Sequence, residues 1–343
     1  MSFLRNTWYI AAWADEVQPG ALLQRTILDE SVLFYRREDG TAVAIGNRCP
    51  HRFAPLHLGK LRGDRVECAY HGLQFDWQGR CAHNPHGAGA RPAAAHVKSY
   101  PLVEKHRALW IWMGEADQAA TGSIPDYSFL TNTPPTAVVT MYIPTACHYE
   151  LLVDNIMDLT HAPYLHANSL GSEAITRSPA KVWEENGGVH CNWWCTNAVA
   201  PPAFARHLSE PQALADHWLE VRWDPPALLL LRAGATLMGR PREEGVDSFN
   251  CHLMTPETET TTHYFYGGAR TFNLHDEAFN AQLRGFLEHA FAREDKPMIE
   301  AQQQSMGTTD FWSLKPVLLA IDAGPVRVRR ALEKLINQES NLT

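Results

Sequence analysis

CPHRFAPLHLGKLRGDRVECAYHGLQF, residues 49–75, places two thiols and two imidazoles in a regular pattern. Cys49 and His51 form a Cys-x-His pair, Cys68 and His71 form Cys-x-x-His, and sixteen residues separate the pairs. Residues two apart share a side in extended backbone, so a Cys-x-His pair on a turn aims both ligands the same way. Two such pairs on neighbouring loops make a site with two sulfurs and two nitrogens. That donor set suits tetrahedral zinc or an iron–sulfur centre. A zinc finger keeps its cysteines together and its histidines together, whereas here each loop gives one of each. The pattern therefore fits a two-iron cluster, one iron on Cys49 and Cys68 and the other on His51 and His71. Imidazole in place of thiolate makes the cluster less negative and sets its potential at roughly −150 to +300 mV. A structural zinc site and four unrelated buried residues are the blander alternatives. His57 has the spacing of neither pair. His83 and His86, just past Cys81, read as loop residues.

The surrounding third of the chain reads as β. SVLFYRRE (31–38), an Asp-Gly turn at 39 and 40, and TAVAIGN (41–47) form a hairpin signature. DRVECAY (64–70), LQFDWQG (73–79) and RALWIWMG (107–114) continue the short strands. Residues 115–137 lose apolar density and gain Pro, Gly and Ser, which reads as a linker. Beyond it, 148–167 begins as a helix, 275–295 is a second, and 324–340 a third. Strand-like runs lie between them at 189–196, 227–233, 249–255 and 261–269. This order predicts an α+β domain, an antiparallel sheet holding helices on one side. The boundaries follow as 1–120 for the β domain and 121–343 for the second.

Composition narrows the function. A chain of 343 residues is comfortable for two domains, and 45% apolar with 20% charged content is ordinary for a globular protein. A net charge of −8 argues against broad binding to nucleic acid or an anionic membrane. Seven cysteines are not a disulfide framework, since the odd count leaves at least one unpaired. The start, MSFLRNTWYIAAWADEV, does not resemble a signal peptide. The most apolar stretch, 225–239, is too short to span a bilayer and contains Arg232. A cytoplasmic, reducing location is the resulting expectation, and there cysteines beside histidines bind metal more readily than they pair.

A one-electron centre does no chemistry on carbon, so the rest of the chain needs its own reason. DNIMDLTHAPYLH runs from Asp154 to His166. Asp154, Asp158 and His161 follow i, i+4, i+7 and so share one face of a helix. His166 would point elsewhere on an unbroken helix, but Pro163 disrupts it and lets both imidazoles reach one ion. Two histidines and a carboxylate on one side of an iron form the non-haem Fe(II) oxygenase pattern. Spacing alone allows Asp158 as the carboxylate.

C-x-H-x16-C-x2-H followed by Gly-Leu resembles the Rieske motif. Asp158, His161 and His166 resemble the D-x2-H-x4-H signature of Rieske non-haem iron oxygenases. The likeness extends over nearly the whole chain, through RNTWYIAAW, NPHGAGARP and TPETETTTHYFYG. It points to the branch that holds vanillate and dicamba O-demethylases and toluenesulfonate methyl-monooxygenase. It implies an N-terminal all-β Rieske domain and a catalytic domain with a curved antiparallel sheet of the helix-grip kind. It implies a [2Fe–2S] cluster, a mononuclear Fe(II) and O2 as co-substrate. It takes Asp295 of Glu294-Asp295 as the third iron ligand. Asp295 has helical spacing with Leu287, Phe291 and Met298, an apolar stripe on which a carboxylate needs a cation. Asp158 is then left to hold His161 and to hydrogen-bond a cluster histidine, His71, of a neighbouring subunit in a homotrimer. Asn155 matches a position near the iron. The implied substrate is an aromatic acid, a methoxybenzoate such as vanillate, with methyl hydroxylation of an aryl sulfonate as the alternative. His252 aligns with a substrate-carboxylate contact of the dicamba enzyme. Phe286 replaces an indole donor of that pocket, and the run around Leu229 to Leu231 replaces an amide, with Leu231 as the substrate-facing position. GAGARP (87–92) lacks the features of a dinucleotide fingerprint, so an NAD(P)H-dependent reductase, with or without a ferredoxin, is the implied partner. A Rieske electron carrier with no second metal is the rival from another class.

Overall fold

The computed structural model describes residues 3–166 and 170–341. The chain divides into two compact units, Arg5–Ile124 and Met1–Leu4 with Pro125–Thr343.

Short antiparallel strands build the first unit. The Asp39-Gly40 hairpin forms, with Glu30–Arg36 paired to Ala42–Gly46. Gly40 makes the turn at φ +85°, a conformation open to glycine without a steric penalty. Leu33, Tyr35, Val43 and Ile45 from this hairpin pack with Leu56, Val66 and Phe75 into one core, and the Cys49 and Cys68 side chains are part of it. A four-stranded sheet of Lys60–Arg62, Arg65–Glu67, Gln74–Phe75 and Cys81–His83 carries the second ligand loop. His83 is thus the end of a strand, paired with Gln74, and not a loop residue.

The second unit is an α+β arrangement around a seven-stranded antiparallel sheet. Its order is Val138–Thr145, Thr262–Arg270, Val246–Pro256, Leu228–Leu237, Ala215–Asp224, Gly188–Ala198 and Lys181–Glu185. The four strand-like runs of the sequence are all in it. Helices Tyr149–Met157, Glu277–Glu288, Lys296–Met306 and Ala323–Ser340 complete the unit. The expected linker is only partly one. Tyr127 and Leu130 are fully buried, so the chain enters the second unit's core well before residue 137. Two apolar side chains in a Pro- and Ser-rich run suffice to anchor it. No helix among the described residues is long and apolar enough to cross a membrane.

Candidate active site

The two ligand loops of the first unit close by the same pair of main-chain bonds. Cys49 N–H donates to the Ala54 carbonyl at 2.9 Å, and Phe53 N–H returns to Cys49 at 2.9 Å. Cys68 N–H donates to Leu73 at 2.8 Å, and Gly72 N–H returns to Cys68 at 2.9 Å. The returning residue has a left-handed backbone in both loops, φ +61° at Phe53 and +70° at Gly72. Each turn thus buries its cysteine and lifts its histidine outward. Both thiols are buried, His51 is exposed and His71 half-buried, and the two imidazole centroids stand 4.5 Å apart. His86 Nε2–H donates to the His71 carbonyl at 2.8 Å, so it steadies one loop. His57 is engaged by Asn47, as its odd spacing anticipates.

These four ligands do not converge on one point. Among the described residues, the only three or more metal-ligating side chains whose donor atoms all lie within 4.8 Å of one another are His161, His166 and Asp295. One tetrahedral zinc would pull its four donors together. Buried thiols at one end and outward imidazoles at the other suit a two-iron cluster. Burial, with the Cys68 thiol beside it, also raises the Cys49 thiol to about 11, so a thiolate there requires metal.

The second ligand set is assembled from distant segments. Helix Tyr149–Met157 ends at Asp158, which has extended dihedrals of −124° and 94°. Asp158 therefore does not share a helix face with Asp154, contrary to the spacing. It caps a new turn, Leu159–His161, with its carboxylate accepting from Thr160 N–H at 3.0 Å and from the Thr160 hydroxyl at 2.6 Å. It does hold His161, but through the main chain: His161 Nδ1–H donates to the Asp158 carbonyl at 2.7 Å. Pro163 does not break the helix. It starts the short helix Ala162–Leu165, where its missing N–H has no partner to lose, and His166 ends that helix. The helix break lies at Asp158, ahead of both histidines, and the turn and short helix that follow it set their rings 5.3 Å apart.

Asp295 arrives from a π-helix, His289–Asp295, set between two α-helices. The wider turn changes the buried stripe. Leu287, Phe291, Asp295 and Ile299 face inward, whereas Met298, expected on the stripe, is 57% exposed. Asp295 itself is 4% exposed. Its Oδ1 lies 3.1 Å from His166 Nε2 and 3.6 Å from His161 Nε2, and accepts from the Asn155 amide at 3.1 Å. Glu294 takes the other side of the same ring, accepting from His166 Nδ1 at 2.7 Å. With both Nδ1 atoms engaged, both Nε2 atoms face Asp295. Burial opposes a charge on His166, but Asp295 and then Glu294 outweigh it and raise its pKa. The cluster draws positive charge, which a metal ion supplies.

Beside it lies a cavity of about 140 Å³, walled mainly by apolar side chains. Asn155, His252, Phe286 and Leu231 all line it, together with Phe204, Phe279 and Leu283. His252 is buried, with Nδ1 paired to the Tyr264 hydroxyl at 2.6 Å, and burial pulls its pKa down to about 3. Leu229 is buried away from the lining. Asn250 is a polar cavity residue that the sequence reading lacks, although it lies two before His252 on one strand face. Arg329 is another omission. It pairs with Asp154 and Glu150, both at 2.7 Å, and so fixes the helix from which Asn155 projects.

Residues 7–101 match the Rieske [2Fe-2S] domain family, and residues 145–338 match the vanillate O-demethylase oxygenase C-terminal domain family. The chain is 39% identical to the oxygenase component of chloroacetanilide N-alkylformylase from Rhizorhabdus wittichii, covering 98% of this chain and 97% of that one. It is 37% identical to the oxygenase component of dicamba O-demethylase from Stenotrophomonas maltophilia, covering 99% and 100%. The crystal structure of dicamba monooxygenase bound to 3,6-dichlorosalicylic acid superposes with a TM-score of 0.94 at 37% identity over 99% of both chains.

Proposed function

This chain belongs to the Rieske non-haem iron oxygenases, in the branch of the vanillate and dicamba O-demethylases, and from that premise we propose that it demethylates an aryl methyl ether. It is the oxygenase component, with a Rieske [2Fe–2S] cluster and a mononuclear non-haem iron as cofactors. Cys49, Cys68, His51 and His71 would hold the cluster, and His161, His166 and Asp295 the iron. When bound, these groups supply electrons one at a time and O2 activation.

The residues of the chain do the rest. Glu294 and the Asp158 carbonyl fix the two imidazoles in one tautomer and orientation. Asn155 holds one oxygen of Asp295. The apolar wall, with Phe204, Phe279, Phe286 and Leu231, excludes water and places the methyl group. One O2, two electrons and two protons then oxidise the methyl C–H to a hydroxymethyl ether and release water. Its C–O bond breaks to give a phenol and formaldehyde. Electrons come from a separate NAD(P)H-dependent reductase, directly or through a ferredoxin.

The observation that carries this reading is the His161–His166–Asp295 cluster opening into an apolar cavity. Relatives named for an ether demethylation and an anilide dealkylation support it. A second relative class, a toluene-4-sulfonate monooxygenase 36% identical to this chain, keeps methyl hydroxylation as the alternative. A homotrimer is part of the proposal, with Asp158 reaching His71 of a neighbouring copy. Asp158 lines a surface hollow with Asp154, Asp322 and Arg329, which leaves it accessible. The test is a panel of methoxyarenes with the loaded oxygenase and a surrogate reductase. One formaldehyde per O2 supports demethylation. A benzylic alcohol from methylarenes without formaldehyde supports the alternative.

A further inference from the structure

The cavity wall offers little to an anion. Among the described residues, Arg270 is its one cationic side chain besides histidine. That guanidinium is engaged by oxygen atoms of the protein: Nε donates to the Phe272 carbonyl, Nη1 to the Asn280 side chain, and Nη2 to the carbonyls of Thr136 and Asn273. It is also remote from the metal end. Ser248 pairs with Arg270, Asn250 with Gly268, and His252 with Tyr266. Arg270 therefore stands four residues along its strand from Tyr266, roughly 14 Å at the usual rise. Phe291, on the same π-helix as Asp295, stands edge-on to His252 at 5.5 Å, which marks that end of the ladder as the metal's.

The polar groups between are spent. Asn250 donates both amide hydrogens, to the Leu231 carbonyl and the Ser248 hydroxyl. The first of these fixes the amide's orientation, because a carbonyl only accepts. Ser248 donates to the Ala233 carbonyl, and Tyr266 donates to Asn250 Oδ1 at 2.6 Å. Among the described residues between the two ends, what remains is His252. Its Nδ1 is held by Tyr264, and its Nε2 is a buried polar atom with no protein partner. Burial keeps this ring uncharged near neutral pH. A carboxylate or sulfonate taken out of water needs a cation or several donors. One neutral imidazole nitrogen does not meet that need, but it does meet the need of one amide, ester or hydroxyl group.

We propose that the cavity selects an uncharged arene, anchored by one hydrogen bond to His252 Nε2, over aromatic acids and arene sulfonates. This rests on demethylation at the same site, and it departs from the aromatic acid that the sequence resemblance implies.

Calorimetry on the oxidised, metal-loaded protein tests it without turnover. The probes are 4-methoxybenzamide and 4-methoxybenzoate, which differ in charge at one position. The amide is expected to bind at least ~10-fold more tightly. Equal or tighter binding of the acid, or binding of neither, overturns the proposal. His252→Phe is expected to weaken the amide ~10-fold and leave 4-methylanisole, which has no group for His252, within ~2-fold. Equal loss for both ligands shows a merely structural histidine and overturns the anchor. Formaldehyde is measured separately. Tight amide binding with no formaldehyde sinks the demethylation and leaves the cavity's preference standing. Formaldehyde from an acid that binds as well as its amide does the reverse.

Discussion

The four cluster ligands lie within 23 residues of one another, between Cys49 and His71, on two turns that close by the same bonds. His166 and Asp295 are 129 residues apart and meet only because a helix break, a π-turn and a buried ion pair bring them together. The first set is encoded in local turn geometry. The second depends on packing across its whole unit. Substitutions far from any ligand should therefore disturb the iron triad and spare the cluster.

The sharpest separation comes from the ligands themselves. Asp295→Ala should take turnover to background and leave the visible absorption of the cluster unchanged. Cys68→Ser should remove both. An Asp295→Ala protein that loses its colour would break the division between the two sets.

Next in size is Arg329→Met. It leaves Glu150 and Asp154 buried without their cation, which costs about 3–5 kcal/mol. Burial already holds the pKa of Glu150 up, at about 7, against the pull of Arg329. Urea unfolding of the second unit should show the loss while the cluster signal persists. A change below about 1 kcal/mol would mean the pair does not organise the site.

Acid should act through the same unit. Burial lowers His148 and His217 to about 4 and His252 to about 3, so all three are neutral in the fold. The unfolded chain protonates them below about pH 6.5, binds more protons than the fold, and stability falls as pH drops. Glu150, raised to about 7, works in the opposite sense between its unfolded value and 7. Three histidines against Glu150 and the raised His166 leave a net loss on the order of 1 kcal/mol per pH unit below 6.5. Melting temperatures at pH 6.5 and 5.5 check this, and equal values contradict it.

The smallest effect belongs to Glu294. Removing the acceptor for His166 Nδ1 in Glu294→Ala should weaken iron binding about 10- to 100-fold, with Glu294→Gln closer to the unmodified protein. Iron titration of the apo-protein measures it. Identical affinities would show that packing alone orients His166.

The same contrast explains what could be read from residues alone. The cluster loops were legible because ligand spacing and turn chemistry sit in one short window. The strands near Leu228, Phe249 and Thr262 were legible from alternation and β-branched content. The triad's histidines were visible, but not the place where the helix before them ends. Pro163 is the obvious breaker by propensity, yet Asp158 ends the helix, because its side chain caps the next turn. Asp295 shared the spacing of Leu287 and Phe291, but the π-turn that carries it leaves no mark in an α-helical pattern. Met298 was misplaced for the same reason. Asn250 and Arg329 were overlooked because their partners, Leu231 and Tyr266 for one and Glu150 and Asp154 for the other, are distant in sequence.

Iron content and electron paramagnetic resonance of the reduced protein test the two-centre account most directly. About three irons per chain are expected, two of them in a cluster with mixed sulfur and nitrogen ligation, falling to about two in Asp295→Ala with the cluster signal intact. A colourless protein, or an Asp295→Ala variant that keeps its full iron, contradicts the account.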